Sequence, residues 1–441
     1  MKENDFDVIV VGAGTGGCTV AKVIGNKGYS IALVDKKKKE EIGNKICGDE
    51  ILEEQLLFME NIFGNLKECI ENKVRDGISI FPDGSQVKLG TGNGCIFNRH
   101  KMGQIILKRT LKNRKVRLFD HTAVLDIKKN KILALNLEKK ERFSLSAKII
   151  VDASGFDAII RRGIKLKDGG MGLKNREFAI LFREIIKVKE WKDDDFCLFF
   201  FDDVKIPHGY AWIFPKGNNC INAGLGFERV VNKNPKISYN SFFNFKKLKV
   251  LSSGGGMVPL RRSISNLVDD HFLTLGDAAC HASPISGGGI YNSLIAGNLA
   301  ALTAIDALKK QKYDEDTLWD YNIKYQTKYG KELAKEEVIK VFLFSLNYNE
   351  IKNVMLKVKN KFSLFTFKAS LYNLLNLGVS MSSMKEFHLL KKIIKVLKYT
   401  RKIDKLYKNY PTKKERLKKW DQELNDIFDH VYDDFNSAAL Q

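Results

Sequence analysis

The sequence predicts an α/β (α+β) chain, in which a parallel-sheet unit carries an inserted antiparallel β layer and is followed by a helical C-terminal region. Three observations predict it. A continuous apolar run, Phe6 to Val11, leads into a glycine cluster, a helical pattern from Gly16 to Lys27 and a second apolar run, Ser30 to Val34, ending in Asp35. That is the strand, helix, strand order of a parallel sheet buried on both faces. Two later runs, Ala147 to Val151 and Phe272 to Leu275, have the same buried-strand composition and are each followed closely by glycine, at Gly155 and Gly276. They are expected to return the chain to the first sheet. Between them, residues 170 to 265 are rich in aromatic and β-branched residues with turn punctuation at Pro207, Pro215, Gly217 and Gly224, the composition of antiparallel strands.

The other elements follow in order. Lys36 to Lys39 reads as a solvated turn, an Ala-rich helix is expected from Gly289 to Lys309, and everything beyond Tyr313 reads as helical. The expected boundaries are 1–78, 96–166 and 266–312 for the parallel-sheet unit, 79–95 and 167–265 for the β insertion, and 313–441 for the helical region.

Of 441 residues, 44% are apolar and 29% charged, which describes a globular chain, neither disordered nor fibrous. Seven cysteines without a CxxC pair argue against a disulfide framework and a structural zinc site, so no metal is expected and a reducing cytosol is the expected compartment. Glu3, Asp5 and Asp7 precede the first apolar run, the wrong polarity for a signal peptide. The nearest candidate for a spanning helix, Phe362 to Met381, is broken by Lys368 and several Asn and Ser, so any membrane contact is expected to be peripheral. Lys and Arg outnumber Asp and Glu by 74 to 52, a net charge of +22 that calls for a negatively charged partner: nucleic acid, an anionic membrane surface or a phosphorylated ligand.

Gly12-Ala13-Gly14-Thr15-Gly16-Gly17 fits GxGxxG through Gly12, Gly14 and Gly17, directly after one strand and opening a helix. The first glycine permits a tight turn, the second lets a pyrophosphate approach the backbone, and the third lets helix and strand pack closely. Free N–H groups and the positive end of the helix dipole then face the phosphates, around Thr15 and Gly16. Asp35, 23 residues after Gly12, ends the second strand where a carboxylate accepts from a ribose and repels a 2′-phosphate. FAD or NAD is therefore favoured over NADP. No second GxGxxG follows a later strand, and no redox-active cysteine pair is present. One bound dinucleotide, served by a second electron donor that visits, is the economical interpretation.

Five separated blocks together resemble the geranylgeranyl reductases, within the larger group of FAD enzymes built like para-hydroxybenzoate hydroxylase. They are the glycine turn with Asp35; Lys45-Ile46-Cys47-Gly48-Asp49; Arg99 within Asn98 to Leu107; Tyr210-Ala211-Trp212-Ile213-Phe214-Pro215-Lys216-Gly217 with Asn222-Ala223-Gly224-Leu225-Gly226; and Pro259, Arg261 and Arg262 with Gly276-Asp277, Pro284 and Gly287-Gly288-Gly289. The resemblance implies a Rossmann-like FAD domain with Cys47 and Gly48 beside the isoalloxazine ring. It implies that Arg99 opens a helix and reaches the cofactor, that the backbone of Ala123 holds the adenine, and that Gly289 and Ile290 face the flavin pyrimidine. Asp277, at the mouth of a strand, can accept from a ribityl hydroxyl or cap a helix. For Cys47, the candidate catalytic residue, proton donation, guidance of the flavin and shaping of the cavity stay open. A thiol with a pKa near 8.5 is a weak acid for an alkene, which favours shaping or gating over acid catalysis.

In a strand, Tyr210, Trp212 and Phe214 share one face, which suits a long apolar substrate; Phe199, Phe200 and Phe201 are expected to line the same cavity. Arg261 and Arg262 are read either as supports for the flavin or a substrate phosphate or as surface ion-pair partners. Residues 385 to 420 hold fourteen Lys or Arg against three acids. Leu390, Ile393, Ile394 and Leu397 fall on one helical face among lysines, which suits a helix lying on an anionic bilayer or one packed on the globule with its lysines in water. The implied activity is FAD-dependent saturation of C=C bonds in geranylgeranyl chains, on an isoprenoid lipid of archaeal glycerophospholipid type, at the inner face of the cell membrane. NADPH, NADH or a reduced ferredoxin would serve as the external donor. A flavin monooxygenase or epoxidase is the rival within the fold. An RNA-modifying flavoprotein is the rival outside it, but RNA-binding signatures are missing and no nucleic acid is expected.

Overall fold

β1 (Asp5–Val11) is the centre of the first sheet because it is apolar on both faces. Val8 and Val10 pack toward helices, Ile9 and Val11 toward a β meander, and all four are buried. In the computed structural model, which describes residues 5–164, 172–357 and 384–435, β1 lies between β2 (Ile31–Val34) and β11 (Glu141–Asp152), parallel to both, with Val8 opposite Ile31 and Ile149. β8 (Val116–Phe119) continues the sheet past β2. β18 (Phe272–Thr274) continues it past β11, with β17 (Val268–Asp269) at the edge. The chain thus returns to the first sheet where the sequence predicts. The N-terminal part of β11 instead pairs antiparallel with β10 (Lys131–Asn136), which pairs with β9 (Thr122–Lys128), and this meander covers the second face.

A second, seven-stranded sheet runs in the order β16 (Lys247–Pro259), β12 (Phe178–Val188), β15 (Cys220–Glu228), β14 (Gly209–Gly217), β13 (Phe196–Phe200), β5 (Asp76–Ile80) and β6 (Gln86–Lys88). Its neighbours are antiparallel except for β13 and β5. One face packs against the helix Pro235–Phe242 around Phe182, Ile186 and Tyr239. The other carries Phe199, Trp212 and Phe214 and looks toward the first sheet. A third sheet, β3 (Glu50–Leu52), β7 (Gly94–Phe97) and β4 (Ile70–Val74), fits beside that aromatic face.

The long helix Ile290–Lys310 lies against the helix Thr15–Gly25. The chain then continues through Glu315–Tyr325, a π turn at Gln326–Gly330, and Lys331–Phe344. In the basic helix Met384–Lys408, Leu389, Ile393, Val396 and Leu397 are buried against Lys331–Phe344 and the final helix Leu417–Phe435, while Ile394 is 55% exposed. Of the predicted stripe, Ile393 and Leu397 are used inside the molecule, Leu390 is half-buried and Ile394 faces out. Among the described residues no helix is long and apolar enough to cross a membrane. The segment Phe362 to Met381 lies outside the described residues.

Candidate active site

A cavity of about 1080 Å³ lies where the ends of β1 and β2 meet the aromatic face of the second sheet. Small-molecule sites run to roughly 1,000 Å³, so this one has room for a dinucleotide with an apolar chain beside it. At one end, β1 stops at Val11 and Gly12 takes φ +104°, a conformation L side chains rarely adopt. A Cβ on Gly17 would come 1.8 Å from the Gly12 carbonyl oxygen. Gly12, Gly14, Thr15 and Gly16 line the cavity, whereas Gly17 lies beneath the turn and lets it close.

Gly14 caps the following helix without a side chain, and the first helical bond runs from the Cys18 N–H to the Gly14 carbonyl. The N–H groups before it are left for an anion. Asp35 is fixed beside them: its Oδ2 accepts from the Ala13 N–H at 2.7 Å and its Oδ1 from the Lys37 N–H at 2.9 Å. Arg99 opens the helix Arg99–Leu111 and is 8% exposed. It donates from Nη2 to Thr15 Oγ1 at 3.2 Å, while its Nε and Nη1 are buried without a partner among the described residues. A fixed positive charge with two unused donors beside an uncapped helix N-terminus fits a pyrophosphate. Ala123 lines the same end.

At the other end, Gly276 and Asp277 follow β18, and Gly289 opens the helix Ile290–Lys310, again with no side-chain cap. Gly289 and Ile290 line the cavity, so a second helix N-terminus faces it, suited to negative charge on a reduced flavin pyrimidine. Asp277 caps nothing with its side chain. Its Oδ2 accepts from Lys45 Nζ at 2.7 Å, and its Oδ1 rests beside Gly289.

Cys47 and Gly48 are held against the aromatic strand by a buried network. Lys216 Nζ donates to Asp49 Oδ2 at 2.9 Å and to the Phe97 carbonyl, and pairs with Glu71 at 2.7 Å. Asn222 Nδ2 donates to the Cys47 carbonyl at 2.8 Å and to Asp49 Oδ2 at 2.9 Å. Asn222 Oδ1 in turn accepts from the Trp212 indole N–H at 3.1 Å. Tyr210, Trp212 and Phe214 share the cavity face of β14 and stand opposite Gly226, Gly224 and Asn222 of β15. A Cβ at Gly224 would come 2.3 Å from the Trp212 ring, so the small residues of β15 make room for the large ones of β14. Tyr210 reaches across to donate from its hydroxyl to the Ser286 carbonyl at 2.7 Å. Burial pushes the Cys47 thiol up from its ordinary range, which keeps it neutral.

The profile of the geranylgeranyl reductase catalytic domain matches residues 178–258, and that of the FAD-dependent oxidoreductases matches residues 7–193. The chain is 29% identical to a digeranylgeranylglycerophospholipid reductase of Sulfolobus acidocaldarius, over 99% of this chain and all of that one. It is 30% identical to the enzyme of the same description from Methanococcus aeolicus, over 80% of this chain and 90% of that one. The chain belongs to the geranylgeranyl reductase family. The fold of a geranylgeranyl bacteriochlorophyll reductase-like protein from Thermoplasma acidophilum superposes with a TM-score of 0.76 at 22% identity, over 84% of this chain and 96% of that one. That of a flavoprotein/dehydrogenase from Cytophaga hutchinsonii superposes with a TM-score of 0.61 at 15% identity, over 95% and 99%.

As a geranylgeranyl reductase the chain is an FAD-dependent oxidoreductase, and several of its cavity groups escaped the sequence reading. Glu50 and Glu336 both line the cavity, and burial pushes both carboxyls up to about 7. Glu50 stands three residues past Cys47, but no spacing signal marks either acid, since each is placed by its neighbours in space. Other expectations are corrected. Phe199 lines the cavity, but Phe200 turns to the opposite face of β13, toward Phe242 and Phe243, because successive strand residues alternate. Phe201 packs behind the lining, against Phe81 and Tyr210. Arg261 pairs with Glu177 at 3.0 Å and Arg262 with the fully buried Glu337 at 3.1 Å. The second pair is buried and the first partly so, and neither arginine lines the cavity.

Proposed function

We propose that this reductase saturates C=C bonds of geranylgeranyl chains carried by a membrane glycerophospholipid, a reading supported by its likeness to proteins of Sulfolobus and Methanococcus named digeranylgeranylglycerophospholipid reductase. The observation that carries the reading is that two uncapped helix N-termini, a buried arginine with unused donors, and a face of three aromatic side chains share one chamber. The first three features suit a dinucleotide and the last suits a polyprenyl chain. Gly12, Gly14, Thr15, Gly16 and Arg99 would bind the pyrophosphate, Asp35 the ribose, Ala123 the adenine and Asp277 the ribityl chain. Gly289 and Ile290 would face the pyrimidine, and Cys47 and Gly48 would border the ring. In its reduced form FAD supplies a hydride equivalent. Tyr210, Trp212 and Phe214 hold the prenyl chain and keep water away, so that an isolated alkene meets hydride and proton in a dry site.

With one glycine turn and no second nucleotide fold read from the sequence, electrons come from a visiting NAD(P)H or ferredoxin. The lysine face of Met384–Lys408 offers an anionic membrane surface attraction by charge alone, as a peripheral contact on the cytoplasmic side. The test is anaerobic. Dithionite-reduced protein mixed with digeranylgeranyl glycerophospholipid should reoxidise its flavin while mass spectrometry finds two-hydrogen increments in the lipid. Reoxidation only on admission of oxygen, with no hydrogen gained, would refute the reading.

A further inference from the structure

Saturating an alkene takes a hydride equivalent and a proton, and the proton must have a source inside the cavity. Several lining groups hold one at neutral pH, but the lysines among them, Lys36, Lys37 and Lys45, are engaged with Asp157, the Asn44 carbonyl and Asp277. The Cys47 thiol and the Tyr210 phenol are both pushed up by burial and are correspondingly weak acids, and the Tyr210 proton is engaged on the Ser286 carbonyl. Glu336 accepts from the Ser283 hydroxyl and stands one turn from Glu332, on the helical side of the chamber.

Glu50 is different. It lies on β3 directly opposite Ile96 of β7. Residues so paired share a face, and Ile96 belongs to the cluster of Phe199, Trp212 and Phe214. The absence of a side chain at Gly94 makes room for the carboxyl: a Cβ there would come 3.1 Å from Glu50 Oε1. Among the described residues no side chain or backbone group forms a hydrogen bond or ion pair with that carboxyl. An acid on a cavity wall without a partner holds its proton to higher pH, and burial pushes Glu50 up to about 7. The titratable groups that face it, Cys95, Cys197 and Tyr210, are each pushed up by burial and so are neutral.

We propose that Glu50 is the proton donor to the alkene. This rests on the reductase reading above. As the π bond breaks, the less substituted carbon takes the Glu50 carboxyl proton and the more substituted carbon takes the hydride equivalent from the reduced cofactor. Two C–H bonds form, Glu50 is left as a carboxylate, and one proton from solvent restores it for the next bond.

Two measurements on the FAD-loaded protein test this. Infrared difference spectra across a pH titration should show protonated carboxyl absorption that disappears as pH rises through about 7, with one component missing in Glu50→Gln and another, from Glu336, missing in Glu336→Gln. That readout is independent of turnover, and the flavin spectrum of the variant reports its folding. In anaerobic single turnovers with digeranylgeranyl glycerophospholipid, Glu50→Gln should slow alkene reduction on the order of a hundredfold or more, and Glu50→Asp should recover part of the loss. A band of undiminished intensity in Glu50→Gln, or alkene reduction by that variant within about threefold of the unsubstituted protein, overturns the assignment. If the unsubstituted protein adds no hydrogen to the lipid, the reductase reading itself falls, and the donor role with it.

Discussion

Replacing Lys216 with Met should strand a buried negative charge. The Lys216 side chain is 5% exposed and that of Asp49 is 1% exposed. The ammonium neutralises Asp49 at 2.9 Å and Glu71 at 2.7 Å while also holding the Phe97 carbonyl. Met fills much of the same volume, so the cost is electrostatic. Glu71, at 31% exposed, can turn to solvent, but Asp49 cannot. It would keep only the Asn222 amide on Oδ2, and its Oδ1 already lacks a partner. Removing one member of a buried pair costs about 3–5 kcal/mol. With a urea slope of about 3 kcal/mol per M, the midpoint should fall by roughly 1–1.7 M. The loss should be read from both tryptophan fluorescence and flavin release, because a chain of this size need not unfold in one step. In the double variant Lys216→Met with Asp49→Leu no charge is left stranded, so most of the stability should return, with a coupling of about 2 kcal/mol or more. A midpoint drop below about 0.3 M in the single variant, or a double variant no better than the single, would refute the argument.

Gly17→Ala should purify colourless: its Cβ would sit 1.8 Å from the Gly12 carbonyl oxygen, and backbone cannot yield there without opening the turn. Flavin absorbance of the variant, against an unchanged far-ultraviolet spectrum, checks this. Glu336 gives a pH dependence of stability. Its folded pKa, about 7, lies above the ordinary carboxyl value of 4.5, so the folded state binds the extra proton. The stabilisation is fully present below about 4.5 and is lost as pH rises through about 7. Urea midpoints of Glu336→Gln should therefore fall less between pH 5 and pH 8, an interval of about three units, than those of the unsubstituted protein, and parallel curves would count against a protonated Glu336.

How much of this was legible in the chain depends on whether the physics is local. The glycine turn is local: a strand, three glycines and a helix leave the backbone one tight route, and Gly12, Gly14 and Asp35 stand where that route puts them. The alternation Tyr210, Trp212, Phe214 is local too, because strand geometry alone sends all three to one face. The same alternation should have separated Phe200 from Phe199, and the structure corrects that grouping. Other outcomes needed the neighbours. The sequence could not say whether the stripe containing Ile393 and Leu397 faces a bilayer or a protein core, since both are apolar surroundings; the helices Lys331–Phe344 and Leu417–Phe435 decide it. Nor could it distinguish Arg261 and Arg262 as phosphate ligands from ion-pair partners, because Glu177 and Glu337 lie far along the chain in opposite directions. The position of Glu50 was equally hidden. A glutamate between Asp49 and Ile51 is an ordinary surface residue until pairing with Ile96 sets it on the cavity wall beside the cluster of Trp212 and Phe214. Periodicity and spacing fix what the backbone does locally, and burial, which sets charge state, belongs to residues that meet only when the chain is folded.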